Sequence, residues 1–453
     1  MQKPGIIKIN LISLAFADTM AQKYPSLRAA KRRSNLSFRD ERLLRHSVPR
    51  NDKTTMHLTR LALSNFRIYN RLELEFPLGV TLLQGNNAFG KTSLLEAIFY
   101  LATAHSPHAG AVRELVRWGA SEEPIPFARL EANVAKANDA RAHIEIVLVQ
   151  AEEKNQKPNG RVTKRIKVNG IPKRAIDLLG ELNVVLFLPD DLNLVFGSPS
   201  DRRRYLNITL AQIDSRYGRA LSKYHQVLEQ RNSLLRSFQE RAFRANELAV
   251  WDSQLIEQGA YLIARRAQAI TRYNQIVADI HPRLTDNRES MRIVYQPSVT
   301  TPTLPSPVEN RGGESIETQF ARQLETMRPR EIRSGTTLVG PHRDDMRFVI
   351  DRIPASDTSM DAITYASRGQ GRTIALSLKL AEVELMREQT GQDPVLLLDD
   401  VMSELDVTRR TALAHTVMTA SQAIITATDL ADFDEEFLSR TRVLRMKEGG
   451  IAN

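Results

Sequence analysis

Eight consecutive residues, Gly85, Asn86, Asn87, Ala88, Phe89, Gly90, Lys91 and Thr92, have the spacing G-x-x-x-x-G-K-T. Glycine at these positions leaves backbone N–H groups free to close around phosphate oxygens, where a side chain would stand in the way. Lys91 is placed to reach β- and γ-phosphates, and the Thr92 hydroxyl to help hold Mg²⁺. Far along the chain the apolar run from Pro394 to Leu398 ends in Asp399 and Asp400. Phosphoryl transfer needs a metal-holding group and a water-positioning group beside the phosphates, so Asp399 is read as the metal carboxylate and Asp400 as the group that polarises water. The loop says that a nucleotide binds, not what the nucleotide is for.

Both motifs need strands to carry them. Gly79 to Gln84 is a short apolar strand entering the loop, and Ser93 to Leu101 has the 3.6-residue spacing of a buried helix leaving it. Alternating apolar and polar residues predict further strands at 56–63, 65–69, 72–76, 129–135, 142–150 and 162–168, with turns at 157–160 and at Asn169-Gly170. Ser367, Gly369 and Gln370 open a helical run, 373–386. A serine and a glycine at a helix start can donate to an anion, although an ordinary N-cap accounts for the serine alone.

From Asp201 to about Ile280 the periodicity turns helical, which predicts an inserted arm over 201–300 between two halves of a head, 56–200 and 301–453. Residues 300–314, rich in Pro, Thr, Ser and Gly, read as a returning linker. Strands are expected again at 336–339 and 346–350, then a polar loop near 354–361, and finally two long helices and two buried strands.

The net charge of +10 is unevenly spread. Residues 1–55 hold 12 Lys+Arg and 4 Asp+Glu, a surplus of +8, so 56 onward carries only +2. This basic extension loosely imitates a targeting peptide, and is read as a disordered tail or an upstream translation start. The arm holds 16 Lys+Arg against 10 Asp+Glu between Asp201 and Arg292, which suits a solvated helix face as well as a DNA-binding one. No cysteine is present, which excludes a disulfide scaffold and fits a reducing cytoplasm. No run approaches the roughly 18 apolar residues of a membrane span.

Taken together, the phosphate loop, the S-x-G-Q string at Ser367, the Asp399-Asp400 strand and the S-x-L-D loop ending at Asp406 follow one another around a helical insertion. In that order they resemble the SMC-related ABC-type ATPases, and Asn65-Phe66-Arg67, 187–191, 197–204 and 340–345 narrow the likeness to the RecF family. The resemblance covers Met56 to about Met446. It implies an α/β fold, an ABC-type P-loop ATPase head of mixed sheets with an inserted helical arm. It also implies binding of ATP and Mg²⁺, of single-stranded and gapped duplex DNA, an ATP-dependent homodimer, and work with RecO and RecR in loading RecA during repair and replication. Carried onto this chain, residues 85–92 and Arg67 bind ATP, Thr92 and Asp399 hold the metal, and Lys91 and Asp400 are catalytic. Ser367, Gly369 and Gln370 face the partner's nucleotide, Asp406 links the two sites, and Thr428-Asp429 stands where many such enzymes have a switch histidine. A small-molecule phosphotransferase and a DNA-bridging structural protein are the alternatives, but the first leaves the Ser367 string without a task and the second needs sustained heptads that the arm lacks.

Many ABC enzymes have glutamate where Asp400 stands, and a side chain one methylene shorter holds the water less well. Turnover is therefore expected well below about 10 s⁻¹, the enzyme median. A steady-state ATPase assay without DNA checks this, and turnover at tens per second would contradict it.

Overall fold

The protein is described from a computed structural model over residues 55–122, 126–150, 162–239, 245–299, 314–353 and 359–451. The basic extension up to residue 54, the turn at 157–160, the linker at 300–313 and most of the 354–361 loop lie outside the described residues.

An antiparallel sheet of order β2-β1-β4-β5-β6-β7 comes mostly from the N-terminal third. It comprises β1 (His57–Phe66), β2 (Tyr69–Glu75), β4 (Phe127–Ala135), β5 (Arg141–Gln150), β6 (Val162–Val168) and β7 (Ile171–Lys173). The second sheet has the order β15-β14-β3-β13-β12-β8. It is built from β3 (Gly79–Gln84), β8 (Val184–Phe187), β12 (Val395–Asp399), β13 (Gln422–Ala427), β14 (Thr441–Lys447) and β15 (Gly450–Ile451). Its strands β8, β12, β13, β3 and β14 pair in parallel.

Both faces of this parallel sheet are covered, which is why its strands read as unbroken apolar runs rather than alternation. Val184, Leu186, Val395, Leu397 and Ile424 point into one core with helix α1 (Lys91–Thr103) and the antiparallel sheet. Their neighbours Val185, Phe187, Leu396, Leu398, Ala423 and Ile425 point into another.

Helices α2 (Leu192–Phe196), α3 (Pro199–Ile213), α4 (Ser215–Ser237) and α5 (Ala245–Leu284) follow β8. The helical stretch then passes through β9 (Glu289–Gln296) and resumes in α6 (Ile316–Ser334), beyond the expected end of the arm at 300. Phe320 and Leu324 of α6 share a buried core with Leu255, Leu262 and Tyr273 of α5. Residues 336–339, expected as a strand, form a loop, because Thr337 is drawn into side-chain hydrogen bonds with Asn232 and Arg231 instead of a ladder. The strand at β10 (Asp345–Arg352) pairs with β9 and with β11 (Met360–Asp361) in a small antiparallel sheet. Short α7 (Ala362–Tyr365), then α8 (Arg368–Thr390), α9 (Val407–Thr419) and α10 (Glu435–Ser439) complete the chain.

One ion cluster joins α4, α5 and α6. Arg231, fully buried, donates to Asp252 at 2.7 Å, to Glu331 at 2.7 Å and to the Thr337 hydroxyl at 2.8 Å. Glu331 is itself fully buried and also accepts the Leu338 N–H. Arg231→Ala would leave that carboxylate without its cation, so a loss of about 3–5 kcal/mol in unfolding free energy is expected by denaturant titration. Exposed Arg219→Ala should change stability by less than about 0.5 kcal/mol.

Candidate functional site: a phosphate cradle at one sheet edge

Strands β3, β12 and β13 run side by side in the order β3-β13-β12, and the parallel pairing brings their C-terminal ends to one edge. Ligands of parallel sheets bind outside this edge, where the loops leave the strands. Residues 85–92 follow β3, Asp399 and Asp400 end β12, and Thr426 lies opposite Asp399 in β13. Distant parts of the sequence thus meet because the sheet is parallel.

The loop has the backbone that its residue types require. Gly90 caps α1 with φ +95°, and a Cβ there would stand 2.6 Å from the Tyr69 hydroxyl. That hydroxyl donates to the Gly90 carbonyl at 2.9 Å, so β2 braces the cradle from behind. Ala88 also has a positive φ of 68°. Lys91 folds back over the loop and its Nζ donates to the carbonyls of Gly85 at 2.6 Å and Asn86 at 3.1 Å. Burial pulls the Lys91 ammonium below its ordinary value, while Asp400 and Asp399 oppose the shift.

The acids are tied to the loop and to each other. The Thr92 hydroxyl donates to Asp399 Oδ1 at 3.0 Å, and the Thr426 hydroxyl donates to the same oxygen at 2.9 Å. Thr426 Oγ1 in turn accepts the Asp400 N–H at 2.9 Å. Asp399 is buried, whereas Asp400 is half-buried and adopts φ 51°, a left-handed conformation that costs a non-glycine residue about 1–3 kcal/mol. Burial raises the Asp400 carboxyl above its ordinary value, opposed by Lys91 and reinforced by Asp399. Thr92 and Asp399 offer a metal two oxygens from the protein, and Mg²⁺ is commonly held by one or two protein ligands with phosphates and water completing its shell.

A cavity of about 800 Å³ adjoins the cradle, with Thr92, Ser93 and Arg67 on its wall. Arg67 does not stand free there. Its guanidinium forms a two-pronged pair with Glu96 of α1, both contacts at 2.7 Å, and NH1 donates to the Glu114 carbonyl. Arg67 therefore shapes the wall through Glu96, which also accepts from the Ser106 hydroxyl at 2.5 Å.

Ser367 is the N-cap of α8. Its Oγ accepts the Gln370 N–H at 3.2 Å, while Gln370 Oε1 accepts the Ser367 N–H at 2.9 Å. Gln370 Nε2 is held by Glu289 of β9. Ser367 and Gly369 are exposed, and neither bonds to the chain's own phosphate loop. Asp406 caps α9 through the Arg409 N–H, and Asp429 accepts the Ala431 N–H. His342 and Arg343 belong to a turn held from within: His342 pairs with the Tyr224 hydroxyl at 2.7 Å, and both residues reach the Thr337 carbonyl.

Three supporting residues escape a reading of motifs, namely Tyr69, Glu96 and Thr426. Only Thr426 left a signal, a hydroxyl in the otherwise apolar run 423–427 of a strand that must lie beside β12. Thr426→Val keeps the shape but orphans the Asp400 N–H, so a loss of about 1–3 kcal/mol in unfolding free energy is expected, measurable by urea titration.

Known proteins share this architecture. The model of the RecF/RecN/SMC N-terminal domain matches residues 57–450. The DNA replication and repair protein RecF of Roseiflexus castenholzii is 43% identical over 404 residues, covering 87% of this chain and 99% of that protein. RecF of Chloroflexus aurantiacus is 42% identical over 405 residues with the same coverage. A solved structure of the recombination mediator protein RecF with ATP, in the RecFOR pathway, superposes with TM-score 0.74 at 32% identity, over 90% of this chain and 99% of that one. The head of mixed sheets around a phosphate loop is the ABC-type ATPase fold expected from the motifs. On these matches, the chain belongs to the RecF family of DNA replication and repair proteins.

Proposed function

We propose that the protein is an ATP-dependent DNA-binding homodimer of recombinational repair and replication, in which each ATP is held between the cradle of one copy and the Ser367 helix start of the other. The observation that carries this reading is the split site. The cradle, Lys91, Thr92, Asp399 and Asp400 converge at one sheet edge, whereas Ser367 and Gly369 turn outward from α8. Ser367 uses its oxygen to cap the helix, which leaves its O–H to donate outward beside the positive end of the helix dipole. The surroundings also suit a second copy. Tyr365 is 71% exposed two residues before Ser367, and Val407 is 77% exposed next to Asp406. Large apolar groups left in water at two such motifs are what a closing interface would cover.

In this reading residues 85–92 hold the phosphates, and Lys91 leaves the Gly85 and Asn86 carbonyls for them. The cavity beside Arg67 takes the nucleoside. Mg²⁺, held by Thr92 and Asp399, would neutralise developing charge on the phosphates. Asp400 orients the attacking water, and its raised carboxyl and strained backbone are those of a group placed for that task. Hydrolysis is slow, so ATP serves as a timer for the dimer's grip on DNA. The DNA is single-stranded or lies at the duplex junction of a gap, and contacts to it are mainly with phosphates, so affinity falls with salt. RecO and RecR are the partners, and loading of RecA the outcome. Relatives named for replication and repair, and a solved relative placed in the RecFOR pathway, support this part.

Light scattering of the protein with ATP and Mg²⁺, with and without DNA, tests the arrangement. Wild type is expected to double in mass with ATP. Lys91→Met should stay monomeric for want of ATP, and Ser367→Arg should bind ATP yet fail to dimerise. A wild type monomeric under ATP, or a Ser367→Arg variant that dimerises normally, would refute the shared site.

A further inference from the structure

A second cavity, of about 430 Å³, lies where the phosphate-loop helix α1 ends against α3, α4 and α5. We infer that it is a binding site for a phosphate ester of nucleotide size, either a free nucleotide or one residue of a nucleic-acid strand. None of its lining residues is acidic, while Arg203, Arg204 and His105 stand on its wall. Its volume falls within the roughly 300–1,000 Å³ of small-ligand sites.

The two arginines keep donors in hand. Arg203 NH1 donates to the Asp344 carbonyl at 2.8 Å, and Arg204 NH2 to the Ser106 carbonyl at 3.1 Å. Main-chain carbonyls thus take one of the five N–H groups that each guanidinium offers, and do not cancel its charge. The nearby Asp344 carboxylate is already taken up by Arg266, the Tyr295 hydroxyl and the Ser298 N–H. Partial burial pulls both Arg203, which is half-buried, and Arg204, which is exposed, below their ordinary value, opposed by Asp345 and Asp344 at the first and by Asp201 at the second. His105 Nε2 is buried and has no hydrogen-bond partner among the described residues, and burial, with Arg204 and Lys164, pushes its imidazole down to about 4.

Ser200, in the first turn of α3, lines one end of the cavity, which runs along the side of that helix as far as Ala211. The negative end of α1 is covered, because Lys164 Nζ donates to the Ala104 carbonyl at 2.7 Å. Ile208, one turn along α3 from Arg204, and Leu221 add apolar surface to the same lining, suited to a base. Cations for a phosphate and apolar surface for a flat ring are together the chemistry of a nucleotide. The lining alone carries this inference, which does not depend on the ATP dimer.

Fluorescence anisotropy of a labelled oligothymidylate of about eight nucleotides, in excess ATP and Mg²⁺ to occupy the phosphate loop, provides the test, with thymidine monophosphate as competitor. Arg203→Gln and Leu221→Asp should each weaken binding about tenfold, the second by placing an anion in the wall without touching an arginine. Arg219→Gln, which removes an exposed arginine of α4 outside the cavity, should weaken it less than about twofold. The slope of log K against log salt should fall by about 0.7 for Arg203→Gln. Thermal melting establishes that each variant is folded, and Leu221→Asp keeps the test open if Arg203→Gln is not. Displacement by thymidine monophosphate, lost in the same variants, identifies a free nucleotide as ligand; dependence seen with the oligonucleotide alone identifies a strand. Wild type that binds neither probe, or folded cavity variants that bind both as Arg219→Gln does, would overturn the site.

Discussion

The hydroxyl of Thr426 joins two strand ends and, through Asp399, the phosphate loop. It gives its one proton to Asp399 Oδ1 and accepts the Asp400 N–H, while Thr92 reaches the same carboxylate oxygen from the loop. Two neighbouring strand ends and a phosphate loop far away in sequence are thereby held within hydrogen-bond reach at the edge where chemistry is expected. A hydroxyl is suited to this because it is donor and acceptor at once, and because threonine is at home in a buried strand. The left-handed backbone of Asp400 is sustained by the same bond: without an acceptor for its N–H, a strained residue at a strand end would have little reason to stay strained.

Behind this edge the support is layered. Tyr69 reaches from the antiparallel sheet to the Gly90 carbonyl, and Glu96 of α1 fixes Arg67 and Ser106. The helix that starts at the phosphate loop ends at the second cavity, with Thr103 and His105 on its wall. A change in how α1 sits would be felt at both ends, and any coupling between ligands there would be reciprocal. The arm is joined to this body by charge as well as by apolar packing. Arg202 forks onto Asp345 at 2.7 and 3.0 Å, and Arg266 NH1 donates to Asp344, linking α3 and α5 to the start of β10. The three consecutive arginines 202–204, part of the arm's basic surplus, therefore divide their work. Arg202 is buried in an ion pair, while Arg203 and Arg204 keep donors for the cavity.

Local sequence determined the loop at 85–92, the helix after it, the acids at the end of an apolar strand and the cap at Ser367, because each rests on residues close along the chain. Glycine permits the φ of +95° at position 90, and a run such as 395–398 has no polar face to show to water. The long helices were equally legible from their period. What tertiary structure decided is everything that depends on a distant partner. Residues 336–339 carry strand-forming residues, yet Asn232 and Arg231 hold Thr337 in a loop. Helix α6 continues the helical stretch past 300 because α5 offers it an apolar face. Arg67, expected at the nucleotide, is held by Glu96, and no spacing rule links residues 29 apart. Most of all, the meeting of Thr92, Asp399 and Thr426 exists only because β3, β13 and β12 lie parallel and adjacent. Residue types supplied the chemistry, and strand order, set by burial on both faces of one sheet, decided which of them could act together.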